Sequence, residues 1–199
     1  MVALESDPDV LEPGDRAPDF ELRGTDGETH SPSAFDDYDA LLAVFTCNHC
    51  PYARAKFGAM NDIADEYEAV AVVAINPNDA EQYPEDSFEK MVEYVESGEI
   101  DVTAYLRDES QSAAEAYGAV CTPDPFLFRN DGDTFRLAYH GRFDDALNPD
   151  EEPSDEPGFE MRGAIEDVLA GEEVDAEFRP SRGCSIKWMD GNEPDYWDL

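Results

Sequence analysis

The stretch Ala40-Leu41-Leu42-Ala43-Val44-Phe45-Thr46-Cys47-Asn48-His49-Cys50-Pro51 decides how the rest of the chain is read. A continuous apolar run from Ala40 to Thr46 predicts a strand buried on both faces, not the alternation of a half-exposed one. Beyond Pro51, Ala53, Phe57, Met60, Ala64 and Tyr67 recur at steps of four and three, the mark of a helix with one apolar face. Val70 to Ile75 is a second buried strand. Strand, helix and strand make a right-handed βαβ unit, with Cys-x-x-Cys at its first strand-to-helix junction. A helix N-terminus carries about half a positive charge and unpaired N–H groups, which favour a thiolate over a thiol. Cys47 is therefore the candidate nucleophile. Cys50, one turn on, is placed to attack a mixed disulfide and release the product. His49 is the candidate for lowering the Cys47 pKa, and Pro51 is tolerated because the first helical turn needs no intrahelical N–H.

Working outward, Phe20 and Leu22 alternate with charge before Asp26-Gly27, which predicts a small β-hairpin between Gly14 and Ser31. Downstream, Phe88, Met91, Val92 and Val95 mark a second helix. A short strand around Val102 to Leu106 precedes a helix at Ser112 to Tyr117, closed by Gly118. Phe126 to Phe128 and Phe135 to Tyr139 flank Asn130-Asp131-Gly132-Asp133, a hairpin signal. Residues 144–158 are rich in Pro, Asp and Glu and read as a mobile acidic loop. Met161, Ile165, Val168 and Leu169 form a last helix ending at Gly171, and a tail over 172–199 carries Arg182, Cys184 and Lys187. No repeat is visible, so 1–199 reads as one α/β domain with a mixed sheet and a core of about 14–171.

A second constellation, Cys121-Thr122-Pro123-Asp124-Pro125, enters the strand at Phe126. Strand, Cys-x-x-Cys, helix and then Thr-Pro leading into a hairpin strand resemble the thioredoxin fold, a three-layer α/β/α architecture. The opening Pro13-Gly14-Asp15-Arg16-Ala17-Pro18-Asp19-Phe20 is similar to redoxins of the alkyl hydroperoxide reductase/thiol-specific antioxidant type. Phe45 to Tyr52, Gly141-Arg142-Phe143-Asp144-Asp145 and the tail from Gly183 to Trp188 most resemble a peroxiredoxin-like subgroup with a CxxC. The resemblance implies a hairpin extension at the N-terminus, a C-terminal tail and a cis Thr122–Pro123 bond facing the cysteine pair. It also implies that Thr122 and Pro123 bind the peptide flanking a substrate cysteine as an added strand. A peroxidatic cysteine of that group follows Pro-x-x-x-Thr/Ser-x-x-Cys. Here Ala40 and Val44 stand at those positions for Cys47, and Ala43 and Cys47 for Cys50, which argues against efficient peroxide chemistry. The buried carboxylate that many thioredoxins carry on the strand before the cysteines is also missing.

Expected chemistry is thus disulfide exchange through Cys47 and Cys50, with protein or small-molecule disulfides as partners and a thiol as reductant. Thiol peroxidase activity is the alternative. No cofactor is expected. A zinc-holding or redox-sensing module is the reading from another class, but no second closely spaced Cys or His pair completes a metal site; Cys121, Cys184, His30 and His140 could do so only through the tertiary fold. Cys121 reads as a small buried hydrophobe. Cys184 has two readings, a resolving thiol or a structural one.

The chain has 199 residues, with 49 Asp plus Glu against 13 Lys plus Arg and a formal charge of −36. Such a surface repels nucleic acid and anionic membranes. No run approaches the ~18 apolar residues of a membrane span, and no basic, apolar leader opens the chain, so a soluble cytoplasmic protein is expected. Lysine occurs only at Lys56, Lys90 and Lys187, and the acid is spread along the whole chain, a pattern resembling proteins adapted to molar salt.

Overall fold

The computed structural model describes residues 3–6, 10–175 and 177–197. Strands β1 (Ala3–Glu5), β2 (Leu22–Gly24) and β3 (Thr29–His30) precede β4 (Ala40–Phe45), helices α1 (Pro51–Arg54) and α2 (Phe57–Glu66), and β5 (Val70–Asn76). Then come α3 (Phe88–Glu96), β6 (Ala104–Arg107), α4 (Ser112–Tyr117), β7 (Cys121–Thr122), β8 (Asp124–Asn130), β9 (Phe135–His140), α5 (Phe159–Leu169) and β10 (Arg182–Ser185).

The central sheet has seven strands in the order β3-β2-β6-β5-β4-β8-β9. Its middle is parallel, β4 with β5 and β5 with β6, while β8 and β9 continue it antiparallel. Every residue of β4 and β5 is buried, and their side chains divide between two cores. Leu42 and Val44 face Met60, Ile63, Phe143, Met161 and Ile165 of α2, α5 and the loop before α5. Leu41, Ala43 and Phe45 face Tyr117, Phe126 and Phe128. Each fully buried Leu, Val or Phe contributes ~1.5–3 kcal/mol, so two continuous apolar strands sandwiched between helices supply much of the fold's stability. This is the expected mixed α/β/α arrangement.

The expected N-terminal hairpin forms, with Leu22 opposite His30 and Arg23 opposite Thr29. It extends the central sheet rather than standing apart, because β2 also pairs antiparallel with β6. The single helix expected after Pro51 is broken between Arg54 and Phe57: Lys56 caps α2 and sends its ammonium to Asp144 Oδ1, 2.5 Å away. Asp144 also accepts from the N–H groups of Ala146 and Gly158, so the acidic segment expected to be mobile is tied to the core at both ends. Asp145 and Glu151 hold its middle through Ser154, Leu147 and Asn148.

A small second sheet, β1-β10-β7, was not evident from periodicity. Its strands are two to four residues long and lie far apart in sequence. It carries the tail back across the cysteine junction: Cys184 lies opposite Thr122 and Ser185 opposite Cys121, while Ala3 lies opposite Cys184 on the other side.

Candidate active site

Strand β4 ends at Phe45, two residues before Cys47, and the chain then turns so that Cys50 caps α1 with Pro51 in its first turn. The loop is braced by buried polar groups. Asn48 donates from Nδ2 to the Glu85 carbonyl and accepts at Oδ1 from the Tyr105 hydroxyl, 2.8 Å away. Its backbone N–H donates to Asp86 Oδ1 at 2.7 Å. Asp86 ends the 3-10 turn Pro84–Asp86, is fully buried, and receives three further donors, the His49 backbone N–H at 3.3 Å, His49 Nδ1 at 2.5 Å and Asn78 Nδ2 at 2.8 Å. Burial works to raise the Asp86 pKa, but the bonds from His49, Asn78 and the Asn48 N–H outweigh it and hold the carboxyl below its ordinary value. Asp86 is the buried carboxylate that the strand before the cysteines lacks. It comes from a loop that no local pattern marks, and one acid among 49 gives no signal of burial.

Thr122 joins both cysteines. Its hydroxyl lies 3.2 Å from Cys47 Sγ, and its carbonyl oxygen lies 3.4 Å from Cys50 Sγ. The Thr122–Pro123 bond is cis, and the site faces it as the resemblance implied.

Two expectations change. The bond present is Cys50–Cys184, with Cα atoms 6.2 Å apart, rather than Cys47–Cys50. Antiparallel pairing of β10 with β7 sets Cys184 opposite Thr122, so the tail brings its sulfur to Cys50. Cys47 is a free thiol with no exposure. Its pKa is pushed up to about 12, chiefly by burial and then by the Asp86 charge, against smaller opposing effects of Thr122, the Cys50 N–H and Lys187. The activating effect expected of the helix end is thus overridden in this state. The His49 ring stacks on Tyr83, with centroids 4.8 Å apart, and bonds Asp86.

These pKa values carry a prediction. A thiol raised from 9.0 to about 12 stabilises the folded state below pH 9, and that contribution is lost as pH rises through about 12. In the oxidised chain, a 13C-cysteine NMR titration should find Cys47 still protonated at pH 10. Complete titration near pH 9 would show that burial does not govern the group.

The tail adds a cation. Lys187 Nζ donates to the Ser185 carbonyl and hydroxyl oxygens and lies 5.7 Å from the Tyr83 ring centroid. Burial lowers its pKa, while Cys47 and Asp86 work to raise it. Its backbone is latched, the N–H donating to Asn78 Oδ1 and the carbonyl accepting from the Asp79 N–H and Gln111 Nε2.

Cys121 is fully buried on β7, its thiol pKa raised by burial and then by Asp124 and Glu5, and its Sγ lies 3.6 Å from the Pro123 carbonyl oxygen. The residues that could have joined a zinc site do not gather. His30 bonds Asp26, His140 bonds Asp124 and Cys184 is in the disulfide. Cys47, His49 and Asp86 do bring one ligating atom each within 4.8 Å of one another. These donor types suit zinc, but His49 Nδ1 and Asp86 are bonded to each other and the Cys47 thiol holds its proton.

Comparison with known proteins places this geometry. The chain aligns over 94% of its length, and 99% of the other's, with the crystal structure of a hypothetical protein from Sinorhizobium meliloti 1021, at 40% identity and a TM-score of 0.85. Peroxidoxin BcpB from Mycobacterium tuberculosis shares the fold at 16% identity and a TM-score of 0.56, with 84% of this chain and 99% of that one covered. The thioredoxin domain of a thiol-disulfide oxidoreductase from Bacteroides vulgatus does so at 16% identity and 0.53, with 66% and 91% covered. No curated protein matches the sequence. Among the described residues, no helix is long and apolar enough to cross a membrane. The AhpC/TSA family model matches residues 13–134, the span from the opening Pro-Gly-Asp segment through the cysteine pair and the cis-proline to the β8–β9 turn, and the chain belongs to that family.

Proposed function

We propose that the chain is a thiol–disulfide oxidoreductase whose redox pair is Cys47 and Cys50. The observation that carries this reading is the Cys50–Cys184 disulfide seated against the free Cys47 thiol and the cis Thr122–Pro123 segment. In the reduced chain one thiolate of the pair attacks a disulfide R–S–S–R′, forming a mixed disulfide and releasing one thiol. The second cysteine then attacks the bonded sulfur, forming Cys47–Cys50 and releasing the other thiol. A thiol reductant regenerates the pair.

Chain order suggests Cys47 as the attacking residue and Cys50 as the resolving one. The geometry supports the reverse division, because Cys50 holds the bond to the docked strand while Cys47 is the buried thiol beside it. Peroxide reduction is supported less well. Thr122 supplies a hydroxyl near Cys47, but a thiol with a pKa of about 12 offers almost no thiolate at neutral pH.

Insulin reduction driven by dithiothreitol should fall to the uncatalysed rate in both Cys47→Ser and Cys50→Ser. Reduced Cys47→Ser/Cys184→Ser mixed with excess peptide disulfide should accumulate an adduct on Cys50, read by mass spectrometry. An adduct on Cys47 in Cys50→Ser/Cys184→Ser, with none on Cys50 in Cys47→Ser/Cys184→Ser, would restore the division by chain order. Undiminished turnover in either variant would remove the proposal.

A further inference from the structure

We infer that β10 is an internal substrate of the site, and that Cys50–Cys184 is the mixed disulfide of an exchange that Cys47 completes. The inference rests on the reading of Cys47 and Cys50 as the redox pair. Its first support is placement. β10 lies antiparallel along β7, the edge leading into the cis-proline, and its cysteine is bonded to the pair rather than to a distant structural partner. The docking is continuous along the tail. Ser181 Oγ donates to the Pro123 carbonyl at 2.7 Å, and the Ile186 N–H donates to the Val120 carbonyl at 3.0 Å. Backbone pairing of this kind is how an extended segment adds to a sheet edge.

The second support is a third sulfur beside the bond. Thr122 touches Cys47 Sγ through its hydroxyl at 3.2 Å and Cys50 Sγ through its carbonyl oxygen at 3.4 Å, so one residue bridges the free thiol and the disulfide it would attack. In the exchange Cys47 gives up its proton and its sulfur attacks Cys50 Sγ. The Cys47–Cys50 bond forms, the Cys50–Cys184 bond breaks, and Cys184 leaves with the electron pair and takes up a proton. One disulfide replaces another, with no oxidant or reductant consumed. With the tail docked, none of the three sulfurs is more than 1% exposed, and the protonated state of Cys47 lets the tail disulfide persist.

The docked tail also describes an external substrate. A Cβ at Gly183 would lie 2.0 Å from the Thr122 carbonyl oxygen, and backbone cannot yield there as a flexible side chain would. A segment docking in the same register therefore carries glycine directly before its reactive cysteine. The substrate class is an extended polypeptide with a Gly-Cys pair, and the tail competes with it.

The test uses the full chain and the disulfide-linked dimer of acetyl-Arg-Gly-Cys-Ser-Ile amide, with a second peptide carrying valine for glycine. A tethered segment acts at an effective concentration on the order of mM, so the tail should outcompete the peptide at ~0.1 mM about tenfold. Reduced Gly183→Val, whose tail cannot take this register, should therefore react with the glycine peptide about tenfold faster than wild type. It should also prefer the glycine peptide to the valine peptide by at least as much. Acid quenching, alkylation and peptide mapping of oxidised wild type should find both Cys50–Cys184 and Cys47–Cys50, and Cys47→Ser should hold Cys50–Cys184 alone. Gly183→Val should lose the Cys50–Cys184 peptide while still forming Cys47–Cys50. Equal rates for the two peptides, or a Cys184 thiol alkylated in every redox state, would overturn the inference while leaving the redox pair intact. So would a Cys50–Cys184 bond that stays unchanged during turnover. Turnover that survives Cys47→Ser would instead strike at the redox-pair reading itself.

Discussion

Asp86→Ala is expected to lower the unfolding free energy by about 3–5 kcal/mol near neutral pH, because the buried carboxylate accepts several charge-assisted hydrogen bonds. The carboxylate accepts from the backbone N–H groups of Asn48 and His49, from His49 Nδ1 and from Asn78 Nδ2, and alanine leaves all four donors without it. The pH dependence has a definite sign. The folded Asp86 pKa lies below its ordinary value of 3.8, so its contribution is present above that value and is lost as pH falls through the folded one. Urea unfolding of wild type and variant should differ fully at pH 7 and converge in strong acid. The same substitution removes a charge that raises the Cys47 pKa, so the Cys47 midpoint should move down from about 12. A difference under ~1 kcal/mol at pH 7 would mean that these bonds are worth no more than ordinary surface pairs.

Salt should have a comparable effect on the whole molecule. If every cation neutralised one acid, 36 carboxylates would still lack a positive partner. Two like charges ~10 Å apart in water repel by ~0.4 kcal/mol, so relieving about ten such pairs yields ~4 kcal/mol. Raising ionic strength from 0.1 M to 1 M shortens the Debye length from ~10 Å to ~3 Å and removes most of that repulsion. At ~2–4 °C per kcal/mol, the thermal midpoint should rise by ~8–16 °C between 0.1 M and molar KCl. A flat midpoint between 0.1 M and molar KCl would contradict this reading of the acidic surface.

What could be read from the sequence was what is local. The apolar run of β4, the Cys-x-x-Cys after it, the Asp26-Gly27 and Asp131-Gly132 turns, and Thr122-Pro123 before β8 each depend on a few neighbouring residues. The partners of the site depend on distant ones. Asp86 reaches Asn48 across 38 residues and Lys187 reaches Asn78 across 109, and neither distance leaves a periodic trace. Strand β10 was hidden for the same reason. Four residues that include a glycine make a poor strand signal, and only the unpaired edge of β7 selects them. Helix position argues for a thiolate at Cys47, whereas the residue is completely buried and its pKa is pushed up to about 12. Gly183, one of 13 glycines, becomes informative only once the Thr122 carbonyl is known to face it.

The central claim, that Cys47 and Cys50 exchange a disulfide, is tested most directly by a redox titration of the Cys184→Ser chain, in which the tail cannot form a disulfide with Cys50. The chain is equilibrated in dithiothreitol buffers of graded potential, quenched in acid, alkylated and mapped by mass spectrometry. The account predicts that Cys47 and Cys50 lose alkylation together in one reversible two-electron transition, a tenfold change in ratio for each ~30 mV. A Cys47 that remains alkylated at every potential would contradict it.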